Sequence, residues 1–474
     1  MSIKFGTDGW RGIIGRDFTF ENVARVAQAF ADLVQENRVF PKRAGNIILG
    51  YDRRFQSPEF ANTIASVLTA NSLLVERSSS FCPTPTIAWL TKDKKGTAGV
   101  IITASHNPAI WNGVKFKESY GGAASPESTM AVETKIEENE KKGRSPSMLD
   151  LEEAGKKRLL TGFDPGNDYV TALQQFVALE KIQKSHWKIG FDPLYGAGTG
   201  FLSKVLKQDL AEIHQEENPS FGGLNPEPIE KNLKELIQTV RDKKLDVGLA
   251  TDGDADRIGA VDETGRFVDS HHIFALILRH LVEVRGWKGG IVKTVSTTGM
   301  IEQLCRKYQL PLHETAIGFK HICKKFLEVE KPLMGGEESG GIAICQHLYE
   351  RDGLLSGLLL LEIMAHHERR LGELIRELHQ EVGPHFFERN DLHLSETEVE
   401  KVRTKLPTKK IETLAGQKVA NTNQVDGCKY TLANGSWLLV RPSGTEPLLR
   451  LYAEADEPEK VKKLLQAARE ILPI

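Results

Sequence analysis

The sequence predicts an α/β protein in which three similar α/β domains are followed by a C-terminal α+β domain. Three observations carry this. Short apolar runs alternate with amphipathic helical stretches as far as about residue 380. Residues able to do chemistry follow directly after two of those runs. Beyond residue 382 the pattern changes to apolar runs paired across an Asn-Gly turn.

In chain order, Asp17 to Asn37 carries Val23, Ala27, Phe30 and Val34 on one helical face, with Thr19 as its N-cap. Ile47 to Tyr51 reads as a buried strand. The next helix opens with Ser57 as cap and Pro58 at its first position. Val100 to Ile102 is a second buried strand, and Ser105 lies just past its C-terminal end, where open α/β sheets place ligand chemistry. A charged helical stretch from Glu133 to Lys157 leads to Thr161-Gly-Phe-Asp-Pro-Gly166, which closes a first domain at residues 1–160. Strands at Lys188 to Phe191 and Val247 to Ala250 belong to a second domain, 161–262. The third, 263–382, opens near Glu263-Thr-Gly265 and ends at the linker Val382-Gly-Pro-His-Phe386. In the last, 383–474, Asn434-Gly435 marks a hairpin and Pro458 starts the final helix.

Composition narrows the function. The chain has 474 residues, 40% hydrophobic and 27% charged, with a net charge of −2 and no long basic run. Nucleic-acid and membrane-surface binding therefore have no support. The most apolar stretch, Leu354 to Ala365, contains Glu362 and falls well short of the ~20 apolar residues of a membrane span. The N-terminal residues lack the apolar core of a signal peptide. Cys82, Cys305, Cys323, Cys345 and Cys428 are scattered without CxxC spacing, so a reducing cytoplasm is expected and a thiolate metal site is not.

Asp252, Asp254 and Asp256 alternate directly after a strand. A looped backbone can converge such carboxylates on one hard cation, Mg²⁺ or Ca²⁺. Glu263 stands twelfth from Asp252, as in an EF-hand, but the sixth position, which needs Gly, is Arg257 and the flanks read as strands. A solvated acidic turn is the plainer alternative, and the preceding apolar strand argues against it. Ser105 lies in Thr103-Ala-Ser-His-Asn-Pro108, which taken alone reads as a turn rather than a site. A serine hydroxyl needs a base or metal to act as nucleophile, and no GxSxG elbow is present. Lys115 follows closely enough to reach the same loop. Arg441-Pro-Ser-Gly-Thr-Glu-Pro447 lies between apolar strands and offers an arginine fork, two hydroxyls and Gly-opened N–H groups, the requirements of a phosphate cradle. Gly335-Gly-Glu-Glu-Ser-Gly-Gly341 could grip sugar hydroxyls or be a plain turn. Gly196-Ala-Gly-Thr-Gly200 is neither GxGxxG nor a Walker sequence, and the His271-His272 and His366-His367 pairs are read as structural or exposed.

Four motifs, TASHNP, DGDADR, GEES and RPSGTEP, occur in this order after Phe5-Gly-Thr-Asp-Gly-Trp-Arg-Gly12. The set, spread over almost the whole chain, closely resembles the α-D-phosphohexomutases, which include phosphoglucomutases, phosphomannomutases and phosphoglucosamine mutases. The resemblance implies four domains around a central cleft, each contributing a loop. It makes Ser105 the serine that carries a phosphoryl group, and Asp252, Asp254, Asp256 and a phospho-Ser105 oxygen the ligands of Mg²⁺. Arg11, His106, Lys115 and Lys293 become catalytic neighbours of that group, and Arg257 a further cationic contact. Glu337 and Ser339 bind sugar hydroxyls, with Gly318 and Arg351 also in the substrate site. Arg441, Ser443, Gly444 and Thr445 anchor the phosphate that is not transferred. The implied reaction interconverts hexose 1- and 6-phosphates, with glucose 1,6-bisphosphate as activator or intermediate. Hexose phosphates are then the expected partners, for a cytoplasmic monomer or weak homodimer.

The Glu-Glu-Ser loop and Glu350-Arg-Asp-Gly353 resemble glucose-specific members, with Arg351 where those carry lysine. Gly318-Phe-Lys320 resembles their Gly-Trp-Lys, while Ile317 stands where they have threonine. RPSGTEP and FGTDGWRG lean toward phosphoglucosamine mutases and mixed prokaryotic members of the family. Glucose phosphate is the favoured expectation, ahead of mannose and glucosamine phosphates and of a bisphosphate synthase on the same fold.

Overall fold

The first three sheets repeat one local plan. In each, a parallel pair of buried strands is followed, through a loop at the C-terminal end of its second member, by an antiparallel return strand. In the first sheet Ile47–Tyr51 runs parallel to Ala98–Ile102, which pairs antiparallel with Trp111–Lys117. In the second, Ile189–Asp192 lies parallel to Val247–Thr251, and Ile258–Asp262 returns. In the third, Gly290–Thr294 lies parallel to Pro332–Gly336, and Ile342–Ile344 returns. Apolar β-branched runs suit strands covered on both faces, and Ala98–Ile102 and Val247–Thr251 are buried throughout. The fourth sheet is wholly antiparallel, in the order Phe386–His393, Leu448–Ala455, Trp437–Pro442, Cys428–Leu432, Gln417–Asn423 and Thr413–Leu414.

This computed structural model describes residues 3–6, 8–40, 45–443 and 447–473. It gives the predicted three α/β domains and C-terminal α+β domain, with local differences. The strand Leu160–Phe163 extends the first sheet beside Val75–Ser78, and Phe267–Val268 extends the second beside Ile258–Asp262. Both sheets therefore end a few residues later than the expected divisions at 160 and 262. These are edge strands of two to four residues, too short to show a period. The stretch from Glu133 to Lys157 is two helices, Pro126–Lys141 and Leu151–Lys156. Thr19 caps Phe20–Gln35 by accepting from the Asn22 N–H. Ser57 caps nothing: its hydroxyl donates to Asp52 Oδ1 (2.8 Å), and the helix Ser57–Ala70 starts from Gln56 in a left-handed conformation.

The helix Gly353–His367 is apolar on every side because it is the middle of the molecule. It packs on the helix Ser270–Glu283 and on the second sheet. Its one buried acid, Glu362, is satisfied by Arg285 (2.7 Å), His280 (2.8 Å) and the Ala178 N–H (2.8 Å). The cores of the first three domains merge: Ile48 and Ile101, Phe191 and Leu249, and Leu358 and Leu361 share one apolar cluster, the first domain meeting the second through the helices Thr84–Asp93 and Asn167–Phe176. The fourth domain has its own core between Leu438, Val440 and Leu451 of the sheet and Val461, Leu464 and Ala468 of the helix Pro458–Ile471. The His271-His272 pair is structural, as read from sequence: His271 is buried, and His272 is held between Asp269 (2.7 Å) and His379 (2.8 Å). Among the described residues no helix is long and apolar enough to cross a membrane.

Candidate active site

Ser105 stands just past the strand Ala98–Ile102 with φ +52°, a left-handed conformation that costs a residue with a side chain about 1–2 kcal/mol. The loop supports this conformation: the Thr103 hydroxyl accepts the Ser105 N–H (2.9 Å), and the Ser105 carbonyl accepts from Arg54 Nη2 (2.6 Å). The Ser105 hydroxyl donates to Asp252 Oδ2 at 2.6 Å, across the boundary between the first and second domains, and lies 3.4 Å from His106 Nδ1.

Asp252, Asp254 and Asp256 are all fully buried, and one oxygen from each lies within 4.8 Å of the others. Asp252 Oδ1 accepts the N–H groups of Asp256 (3.0 Å) and Arg257 (3.1 Å), which wraps the loop around its own first carboxylate. Asp254 Oδ1 and Asp256 Oδ1 are buried without a hydrogen-bond partner. An unpaired buried carboxylate oxygen is costly, and two converging beside a serine hydroxyl fit a hard divalent cation. Burial and its two acidic neighbours push the Asp252 carboxyl well above its ordinary range. Burial presses the same way on Asp254, but the Lys115 ammonium together with the hydrogen bonds from Lys115 and Thr84 holds that carboxyl low.

Lys115, from the return strand Trp111–Lys117, is 1% exposed and reaches Asp254 (2.8 Å), Asp256 (3.0 Å) and Asp8 (2.8 Å). Arg351 comes in from the third domain and pairs with Asp256 (2.8 Å), Glu337 (3.0 Å) and Asp8, while its Nε lies 3.4 Å from Glu350 without a hydrogen bond. At 2% exposure Arg351 is buried, and it joins the 252–256 loop to the 335–341 loop. Arg351→Ala is expected to lower the unfolding free energy by about 3–5 kcal/mol, because it leaves buried carboxylates unpaired; urea unfolding checks this, and a loss under about 1 kcal/mol would contradict it. Arg11 Nη1 donates to Asn107 Oδ1 (2.7 Å), and Arg257 Nε lies 3.9 Å from Asp256 and 4.0 Å from Asp252. Desolvation, together with Arg257, Arg11 and Lys115, drives the His106 imidazole well below its usual value.

In the sugar loop, Glu337 Oε1 accepts from the Ser339 hydroxyl (2.8 Å) and from Arg351. The loop is docked on the metal loop by the Ile258 N–H to the Gly340 carbonyl (3.1 Å), with Gly340 at φ +97°. Gly318, at φ +120°, follows Ile317, whose N–H donates to Asp426 Oδ2 (2.9 Å). Arg441 Nε holds the same oxygen at 2.9 Å, so the Gly318 loop meets the phosphate loop through Asp426. Ser443 is fixed by its N–H to the Leu448 carbonyl (2.8 Å) and by Arg403 Nη2 to its own carbonyl (2.9 Å). Gly444 and Thr445 lie outside the described residues.

Lys293 is not brought to Ser105. Its Nζ donates to the carbonyls of Thr297 (3.1 Å) and Thr298 (3.1 Å) and to Glu302 (2.8 Å), with Glu314 at 3.5 Å, so the ammonium is consumed where the third domain meets the fourth. Sequence reasoning missed Asp8, which bridges Lys115 and Arg351. It also missed Thr84, whose hydroxyl and N–H donate to Asp254 Oδ2 (2.5 Å) and the Asp254 carbonyl (2.9 Å). Asp8 lies inside a motif already quoted; nothing in its own neighbourhood marks Thr84.

Four domain families described as phosphoglucomutase/phosphomannomutase match in order: α/β/α domain I over residues 2–143, domain II over 167–265, domain III over 269–382 and the C-terminal domain over 398–471. Fold and matches together define a phosphohexomutase, an isomerase of carbohydrate metabolism. The chain belongs to the phosphoglucomutase/phosphomannomutase family. A phosphoglucomutase/phosphomannomutase of Thermococcus kodakarensis is 30% identical, over 100% of this chain and 99% of that one. A phosphoglucosamine/phosphogalactosamine mutase of Sulfurisphaera tokodaii is 29% identical over the same shares. A crystal structure from Thermus thermophilus, provisionally named a phosphomannomutase, superposes with a TM-score of 0.85 at 31% identity, over 99% of each chain.

Proposed function

We propose that the chain interconverts the 1- and 6-phosphates of a hexose through a phosphoserine at Ser105 and a 1,6-bisphosphate intermediate. The observation that carries this is the Ser105 hydroxyl on a buried aspartate trio with two unpartnered carboxylate oxygens. Mg²⁺ held by Asp252, Asp254, Asp256 and a Ser105 phosphate oxygen would neutralise charge on the phosphoryl group. Lys115 and Arg11 supply further positive charge beside Ser105. The phosphoryl group leaves Ser105 Oγ for the free sugar hydroxyl, and His106, whose Nδ1 lies 3.4 Å from Ser105 Oγ, would take that hydroxyl's proton. Glu337 and Ser339 hold sugar hydroxyls. Arg441 and Ser443, with Gly444 and Thr445 by sequence, hold the distal phosphate in a central cleft. After the intermediate turns around, its other phosphate returns to Ser105.

For the sugar, we place glucosamine phosphate first, with mannose and glucose phosphates behind it. The full-length relatives named for phosphoglucosamine, phosphogalactosamine and phosphomannose support this order over the glucose preference read from the sugar loop. The test is a panel of hexose 1-phosphates followed by ³¹P NMR, with and without the matching 1,6-bisphosphate. Glucosamine phosphate with the largest kcat/KM, and a catalytic bisphosphate requirement, are expected. A glucose optimum would restore the other sugar, and net accumulation of bisphosphate would replace mutase by synthase.

A further inference from the structure

We infer that Arg54 is a positioning residue for the reaction, the group that sets the conformation from which Ser105 acts; this rests on the phosphoserine reading. Arg54 follows the strand Ile47–Tyr51 and is 2% exposed. All four hydrogens of its terminal nitrogens go to one short loop. Nη2 donates to the carbonyls of Ser105 (2.6 Å) and Asn107 (2.6 Å), and Nη1 to those of Pro108 (2.9 Å) and Trp111 (3.0 Å). Its Nε lies 3.3 Å from Asp52 Oδ2, and the other oxygen of Asp52 accepts the Arg54 N–H (2.9 Å). The ring of Phe221, from the second domain, covers the guanidinium at 4.8 Å.

One planar cation thus gathers four carbonyls from the seven residues 105–111. The Ser105 carbonyl is drawn to one side by Arg54 while its hydroxyl is drawn to Asp252 on the other, and the left-handed φ is what remains. The fork is essential: a lysine ammonium has three donors at one point and cannot span four spread acceptors. Among the described residues Arg54 donates to neither the metal-loop aspartates nor the sugar loop, so its effect on chemistry runs through the position of Ser105.

The test is Arg54→Lys, followed by kcat, KM and the rate of phosphate incorporation into Ser105 from glucose 1,6-bisphosphate by intact mass. Misplacing a reacting group by about 1 Å costs on the order of 10²-fold in rate. The expected result is a folded protein with kcat and the incorporation rate both down by about 10²-fold and KM unchanged within about threefold. Wild-type kcat and incorporation in folded Arg54→Lys would overturn the inference, as would a loss carried entirely by KM. If wild-type Ser105 takes up no phosphate, the phosphoserine reading fails and this one with it. Should Arg54→Lys not fold, Phe221→Leu, which removes the ring that holds the guanidinium plane against the four carbonyls, is expected to lower kcat severalfold at constant KM; unchanged kcat would assign Arg54 to folding alone.

Discussion

Ser105→Ala is expected to fold, to bind sugar phosphate and to turn over at least about 10⁴-fold more slowly than wild type, since removal of a covalent nucleophile leaves only binding and electrostatics. The substitution is well suited to the site. Alanine inherits the same left-handed backbone cost as serine, so no new strain enters at φ +52°. What is lost locally is one hydrogen bond to Asp252, a penalty of about 1 kcal/mol. The melting temperature should therefore shift by only a few degrees. Intact mass should show no phosphate on the variant after incubation with bisphosphate. Mutase turnover within tenfold of wild type would remove Ser105 from the reaction.

Asp254→Asn should abolish the response to Mg²⁺ and reduce kcat by about 10²–10³-fold. Asp254 Oδ2 is committed to the Thr84 hydroxyl and the Lys115 ammonium, while Oδ1 points, unpartnered, into the trio. An asparagine amide must turn its N–H donors either on Lys115 and Thr84, which are themselves donors, or into the cation site. Both orientations spoil the set of ligands. A readout independent of turnover is available, because a ligand that binds only the folded state at 100 times its Kd stabilises it by about 2.7 kcal/mol. Wild type should melt higher as Mg²⁺ is added, and Asp254→Asn should not. An identical Mg²⁺-dependent shift in both proteins would place the metal elsewhere.

What was legible in the sequence is what depends on contiguous residues. The aspartates betray themselves by alternating after an apolar strand. The Asn434-Gly435 hairpin and Pro458 helix start are local signals, and the structure has the strands Cys428–Leu432 and Trp437–Pro442 around the first and the helix Pro458–Ile471 at the second. What was not legible depends on partners far away in the chain. Thr84 meets Asp254 across 170 positions, and Arg351 meets Asp8 across 343. Lys293 shows the reverse failure. The family resemblance suggested a cation near the phosphoryl group, and only the fold reveals Glu302 and the two carbonyls that already hold it. Ser57 looked like a helix cap because hydroxyl residues before Pro usually are; Asp52, five residues earlier, claims its hydroxyl instead.

The shared plan of the first three sheets has a consequence for how such a protein can change its chemistry. Ser105, the aspartate trio and Glu337, the proposed nucleophile, metal ligands and hydroxyl-binding carboxylate, each occupy the same address, the turn between a buried parallel strand and its antiparallel return. The scaffold beneath is thus indifferent to its cargo, and sugar preference can drift by editing a few residues at one address while the other two are inherited unchanged. Arg351 limits that freedom. Any new turn grafted between Gly336 and Ile342 must still offer a carboxylate to it, or the metal turn next door loses its support.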